Sequence, residues 1–500
     1  QNGSSHLGES QASRLAQNSE CCWVPALMLY RCTPPVATRY CGRWLLKPAA
    51  LPLRVPLTSA ALPSLPSRIP GQCTSARQAS SAAWNKKVCI VGGGNAAHAL
   101  MAMWPTMGVS VNVWASFGDE AERIKQGMAQ GPMTAVFAEG NVFEGPITGS
   151  PSKVSDDPAD VVPECDVLFM PLPTFAYISV LTQLKPHLRE GHIIAVSPGQ
   201  GGLDWVAFNI LGKELCSKLV FMAILPMPFN CRTEEFGRLV NVQVLKQRYH
   251  ITAMPLNREW ATKGCRKLES CIAITKELLP KSEVKALGPK LGATLVPLNA
   301  IIHPPRMYTL LTEHYQWEPG KTIPENPFFY EQMTEKDTIN QLKVNKELDA
   351  IIAAGKTHGI ECNVPDCYNF LARTYDGATG SFPPREKTTP ADLCTLWHGP
   401  QYKTFRCPLK KEGDGWVPDF ENRYFTEDIP CGLCTFKGVA DIFGVPTPFI
   451  DQLVGWAQVH MGKEYIVDGK LAGKDVPETY SPQRWGITTV DGLKEAMHLE

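Results

Sequence analysis

Apolar residues change their period once along this chain of 500 residues. Before about residue 290 they come as short, nearly unbroken runs, at 88–91, 109–114, 166–172, 192–197 and 219–225, with helix-like stretches between them. Runs of that length predict strands, and their alternation with helices predicts a doubly wound parallel sheet. After residue 290 the apolar residues fall three and four apart instead. The stretches PLNAIIHPPRMYTLLTEHY, EKDTINQLKVNKELDAIIAAG and IPCGLCTFKGVADIFGV all show it, the last at Ile429, Leu433, Phe436, Val439 and Phe443, with Gly444 and Pro446 as its stop. That spacing predicts helices. The fold class expected is therefore α/β plus all-α: a sheet domain over 86–290, then a helical domain over 291–500.

Two interruptions in the helical half single out side chains. Pro304 and Pro305 disfavour the α conformation before them, so a break is expected at His303, between one helix and the next. A histidine there can be aimed into a cleft; it can equally be a hydrogen-bonded core residue. The stretch ENRYFTEDIP at 421–430 precedes the helix expected from Ile429, which makes Asp428 or Thr426 a natural N-cap and Pro430 a first-turn residue. Capping accounts for Asp428 but not for Arg423, whose planar fork is the shape that selects carboxylates. CGLC at 431–434 has the spacing of a redox pair but lies in a helix without a βαβ context, and is read as packing.

Chemistry in the front half begins at KKVCIVGGGNAAHALMAMW. The glycines follow a β-run and open a helix-like segment, the context in which G-x-G-x-x-G/A means a dinucleotide site of Rossmann type. Gly92 allows the sharp turn, Gly94 lets the backbone approach a pyrophosphate, and Ala97 keeps helix and strand close. Asn95 opens that helix. Pro173, in PLPTFAY, lies beyond the end of the third run, where ligands of such sheets bind, and both residues join the expected cofactor set. No acid closes the second run to hold a ribose hydroxyl; Ser116 is near, and Asp119 is too far along. NAD and NADP are both open on that feature. Gln200, in SPGQGG, carries donor and acceptor at the same rim.

Overall charge narrows the partners. Lys+Arg and Asp+Glu both total 49, which leaves no general pull toward nucleic acid or anionic lipid. No apolar run approaches the roughly 20 residues that span a bilayer. Seventeen scattered cysteines fit free thiols in a reducing compartment, so a cytoplasmic protein is expected. Residues 1–85 are Pro-, Ser-, Ala- and Arg-rich and acid-poor; they are expected to be a disordered or non-native extension, with a mitochondrial address only if they act as a transit peptide. No metal ligand set is assigned.

VPDFENRYFTEDIPCGL, GWAQVHMGKEYIVDGKLAGKDV, SPQRWGITTVDGL, VCIVGGGNAAH, ENPFFYEQM and the HPP at 303 together resemble the opine dehydrogenases, the octopine dehydrogenase family of invertebrate muscle. The similarity runs from about residue 86 to the end. It implies a Rossmann domain followed by a helical domain, and reductive condensation of pyruvate with an amino acid by NADH, which sustains glycolysis without oxygen. By the same resemblance His303 is the catalytic histidine, Asp428 its acidic partner and Arg423 a binder of substrate carboxylate, with Gln200 and Cys231 lining the pocket. Family members are often monomers, and a monomer is expected. Arginine-using members are implied to carry an acid in the loop that here reads ILPMPFNCR, which has none before Glu234. A small partner such as glycine, alanine, β-alanine or taurine is therefore expected. Two other readings stay open: a two-domain dehydrogenase of a 2-hydroxy acid or sugar-phosphate alcohol, and a non-catalytic NAD-sensing protein.

Overall fold

The computed structural model describes residues 85–497, apart from 144, 255–257, 288–290, 297, 361–363, 365–367, 369, 370, 372–381, 400 and 401. The expectation for residues 1–85 thus falls almost wholly outside the described residues. Among the described residues, twelve strands form the first half: β1 (Lys87–Val91), β2 (Ser110–Trp114), β3 (Met133–Phe137), β4 (Pro146–Gly149), β5 (Lys153–Ser155), β6 (Val167–Met170), β7 (Ile193–Val196), β8 (Val220–Leu225), β9 (Phe229–Glu235), β10 (Leu239–Leu245), β11 (Arg248–Met254) and β12 (Glu283–Ala286). Eight of them make one sheet in the order β12-β11-β8-β7-β6-β1-β2-β5. Its neighbours are parallel except β11 and β8.

All five apolar runs became strands of this sheet, because both of its faces are covered. Successive residues of β6 enter different cores: Leu168 and Met170 join one cluster, Val167 and Phe169 the other. The first cluster continues without interruption into the helical half, through Ile301, Ile302, Phe425, Ile429, Leu433 and Phe436. One apolar core therefore welds a face of the sheet to the helices that carry His303 and Asp428.

Two features of the architecture were not legible in the period. A second, four-stranded sheet, β4-β3-β10-β9, stands beside the first; its strands mix polar and apolar residues, as in FNCRTEE of β9, and lack continuous runs. The helical half, expected to contain helices alone, also holds a hairpin, β13 (Leu409–Glu412) with β14 (Gly415–Pro418).

The helix containing His303 is unbroken, contrary to the expectation. It runs Leu298–Thr309 straight through both prolines, then widens into a π-helical turn, Leu310–His314. Each interior proline removes a backbone hydrogen bond at a cost of about 3 kcal/mol. Tertiary contacts of the same helix offset this. Arg306, fully buried, donates to Phe329 O at 3.1 Å, to Asp337 Oδ1 at 2.7 Å and to Gln332 O at 3.3 Å.

The second sheet braces the glycine loop. Asn95 Oδ1 accepts the Thr233 N–H of β9 at 2.9 Å. His98, buried in the helix Asn95–Thr106, accepts the Gly237 N–H at Nε2 (2.8 Å), which leaves Nδ1 to carry the proton and donate to Gly94 O (3.0 Å). Burial, with the Arg123 charge nearby, lowers the imidazole to about 4 although the Gly94 carbonyl favours its charged form. Between pH 6.5 and 4 the unfolded chain then binds a proton that the folded chain refuses, so this contribution is complete above pH 6.5 and is lost as pH falls toward 4. The loss amounts to about 3 kcal/mol. We predict that the difference in unfolding free energy between the wild type and His98→Gln shrinks by that order from pH 7 to pH 4, measured by denaturant titration; a pH-independent difference would refute the brace.

Candidate active site

At the cofactor end, Gly92 has φ +106, and a Cβ there would press on Leu172; its N–H donates to Trp114 O at 2.7 Å, which ties the start of the loop to the end of β2. Nothing lies within 4 Å of where a Gly94 side chain would be, and no side chain caps the helix Asn95–Thr106 that Gly94 precedes. Open space in front of uncapped helix N–H groups suits an anion. Ala97 is buried against the sheet, as expected of a close-packing position. An acid does stand at this loop: Glu120 Oε2 accepts the Gly93 N–H at 3.0 Å, and burial raises its carboxyl despite that bond. Sequence spacing missed it because Glu120 lies in the first turn of the helix after β2, one residue beyond the Asp119 that looked too distant.

The rim after β6 and β7 meets the helical half around Thr174, Phe175 and Gly201. Pro173 precedes a short 3₁₀ turn, Thr174–Ala176, and Tyr177 Oη donates to Pro198 O in the loop that bears Gln200. Gly201, at φ +67, is essential to the approach, since a Cβ would strike Thr174 Cγ2 and lie 3.4 Å from Cys431 O. Gln200, half-buried, is thereby held beside the π-helical segment Asp428–Leu433. Tyr480 ties the same corner, donating from Oη to Phe175 O and accepting at its carbonyl from Trp205 Nε1, both at 2.9 Å.

His303 and Asp428 are in contact. The imidazole Nδ1 lies 2.8 Å from Asp428 Oδ2, with the two side chains only 5% and 7% exposed. Asp428 is not an N-cap, as its position suggested. A helical turn already begins at Arg423, capped by Asn422 through the Tyr424 N–H (3.1 Å), so the chain is wound before Asp428 and its carboxylate is released to the histidine. Tyr424 stacks on the imidazole at 3.7 Å and 15°, Phe329 meets it edge-on at 5.3 Å, and Tyr330 Oη lies 3.1 Å from Nε2.

Arg423 reaches the rim. Its fork is 62% exposed and lies over Phe175 at 5.8 Å. Nε and Nη2 both donate to Glu427 Oε2, at 2.7 and 2.5 Å, while Glu427 Oε1 accepts the buried Thr174 N–H at 2.9 Å. One guanidinium edge, Nε with Nη2, is thus anchored on Glu427, while the side chain as a whole stays largely exposed. Glu427, missed in the sequence, is recognisable in retrospect as the i,i+4 partner of Arg423.

Cys231 stands apart from this group. It lies on β9 opposite Val242 and packs against the core shared by the two sheets, where burial pushes its thiol up to about 12. Cys431 and Cys434 are buried free thiols, both raised by burial, within the helical core. Among the described residues no cluster of His, Cys, Asp and Glu could hold a metal ion, and no helix is long and apolar enough to cross a membrane.

Residues 287–461 match the family described as NAD/NADP octopine/nopaline dehydrogenase, alpha-helical domain. Over 418 residues the chain is 32% identical to an opine dehydrogenase of Haliotis discus hannai, covering 82% of this chain and 98% of that one. The chain belongs to the opine dehydrogenase family. A tauropine dehydrogenase of Arabella iricolor is 32% identical over 410 residues (81% and 98% covered), and an octopine dehydrogenase of Pecten maximus 31% over 416 (81% and 98%). Among solved structures, octopine dehydrogenase with NADH and L-arginine superimposes with a TM-score of 0.69 at 29% identity, covering 82% of this chain and 97% of that one. Its NADH and pyruvate counterpart gives 0.66 at 28%, with the same coverage.

Within this family member, Glu427 is bonded to both halves of the junction, through Arg423 and Thr174. Glu427→Ala is expected to strand the buried Thr174 N–H and destabilise the chain by about 2–3 kcal/mol, whereas Glu427→Gln keeps that acceptor and costs about half as much. Denaturant unfolding of both variants tests this; equal stability of the two would show that the Thr174 bond contributes nothing.

Proposed function

We propose that this chain catalyses the NADH-dependent reductive condensation of pyruvate with an amino acid, giving an N-(1-carboxyethyl) amino acid. The observation that supports it best is the buried His303–Asp428 bond, set next to an Arg423 fork that opens toward the cofactor rim. The octopine dehydrogenase structures with NADH, pyruvate and L-arginine point the same way.

A dinucleotide fits the glycine loop, since Gly92 makes the turn, Gly94 leaves space, and the uncapped helix start offers N–H groups to a pyrophosphate. Pro173 and Gln200 would border its nicotinamide end. When bound, NADH supplies the hydride that reduces the imine carbon. Glu120, beside Gly93, suits ribose hydroxyls and repels an added 2′-phosphate, which favours NADH over NADPH.

The chain's own residues manage orientation and protons. Arg423 grips the pyruvate carboxylate with its outward edge while Glu427 holds the other. The incoming amine must lose a proton before its lone pair can attack C2, and His303 takes it. Asp428 fixes the proton on Nδ1 and stabilises the imidazolium that forms. The same imidazolium returns its proton to the carbinolamine hydroxyl, which leaves as water. Net, one proton is consumed per NADH oxidised.

For the amine we infer a small partner. No carboxylate stands in the 225–231 loop, and the first acid, Glu234, is exposed on β9 and bonded to Asn241 at 3.0 Å. Instead the buried Lys246 ammonium donates to Met227 O at 2.8 Å and to Asn230 Oδ1 at 2.9 Å behind that loop, an unfavourable setting for a second cation.

His303→Ala is expected to lower turnover roughly 100-fold or more while NADH binding persists; full activity would remove the assignment. NADH oxidation with pyruvate alone should be slow and rise on adding glycine, alanine, β-alanine or taurine. A clear preference for arginine in the same panel would overturn the substrate inference.

A further inference from the structure

The His303 ring has a single atom left for a substrate. Asp428 occupies Nδ1, Tyr424 covers one face and Phe329 packs edge-on, so only Nε2 remains, and it faces the Tyr330 hydroxyl at 3.1 Å. A substrate oxygen must therefore displace that phenol or act through it.

Displacement is opposed by everything around Tyr330. Its ring is packed by Phe329, Trp397, Tyr402 and Phe405, at centroid distances of 4.8, 5.4, 5.2 and 5.8 Å. Its backbone is pinned on both sides, because Arg306 donates to Phe329 O and Gln332 O. Arg306 follows His303 by about one turn of the same helix. Its own anchor is Asp337, fully buried, whose second oxygen lies 3.2 Å from His314 Nε2. One rigid helix thus sets both the imidazole and the segment that presents the phenol. Tyr330 is only half-buried, so part of its side chain remains accessible.

We propose that Tyr330 is a proton-relay residue, its hydroxyl carrying the proton between His303 Nε2 and the oxygen that leaves the carbinolamine as water. A hydroxyl both accepts and donates, as this requires. The imidazolium Nε2–H bond breaks and its proton joins Tyr330 Oη. The original phenol proton moves to the carbinolamine hydroxyl, the C–O bond breaks with both electrons leaving on water, and the nitrogen lone pair forms the C=N bond. Tyr330 is regenerated and His303 is neutral. The proposal rests on the reading of His303 as the acid–base group.

Tyr330→Phe in the full chain removes the hydroxyl and keeps the ring. We expect kcat to fall by roughly 10- to 100-fold, with the KM for pyruvate, NADH binding and Tm little changed, and with an altered solvent deuterium isotope effect on kcat. Unchanged kcat would show that the phenol only packs, and raised kcat that it competes with substrate; either overturns the relay. Should Tyr330→Phe fail to fold, 3-fluorotyrosine at 330 keeps both packing and hydroxyl while altering phenol acidity, and a kcat equal to wild type then overturns it. Loss of activity in His303→Ala with full activity in Tyr330→Phe would sink the relay alone, whereas activity in His303→Ala would sink the acid–base reading itself.

Discussion

The hydrogen bond from His303 Nδ1 to Asp428 joins positions 125 residues apart, and both partners are almost completely withdrawn from water. A buried carboxylate needs its partners, and breaking such a pair by removing one member costs about 3–5 kcal/mol. The segments that supply the two side chains must therefore stay in one register. Both are irregular: one is a helix with two interior prolines leading into a π-helical turn, the other is itself π-helical. Such widened turns recur where a side chain has to be re-aimed. Their local cost is offset by the Arg306–Asp337 pair, the stacked Tyr424 and the continuous core beneath them.

The position of this pair relative to the sheet follows from small residues and shared bonds. Gly201 lets the β7 loop approach Cys431 O, and Glu427 binds both Arg423 and the backbone at Thr174. Trp205 and Tyr480 close the same corner. The dyad, the arginine fork and the loops beyond the sheet are thus held by one bonded network over one core. That rigidity suits the acid–base role proposed for the pair, since groups placed an ångström away from the reacting atoms lose much of their effect.

Much of this was legible in the chain. Unbroken runs such as VLFM at 167–170 can be buried only between two helical layers, so the large sheet followed from them. The positive φ of Gly92, the open space at Gly94 and the burial of Ala97 were readable because they are backbone and packing requirements. The second sheet was hidden, since its strands bury one face and carry polar residues on the other. His303 misled for a different reason: local propensity favours a break before Pro304, and contacts that His303 and Arg306 make with residues distant in sequence offset it. Asp428 likewise had the address of a cap, and the turn wound from Asn422 gave it another use. Glu427 and Tyr330 were overlooked because their significance is purely spatial, one lying under Arg423 and the other at Nε2. Cys231, placed near the pocket by resemblance, lies on β9 and packs against the core shared by the two sheets.

A crystal structure of the chain with NADH and oxamate, a non-reducible isostere of pyruvate, bears most directly on all of this. The oxamate carboxylate is expected on the outward edge of Arg423, its carbonyl oxygen within hydrogen-bond reach of the His303 and Tyr330 pair, and its reacting carbon roughly 3–3.5 Å from the nicotinamide C4. Oxamate seated elsewhere, or a nicotinamide ring turned away from an intact His303–Asp428 bond, would contradict it.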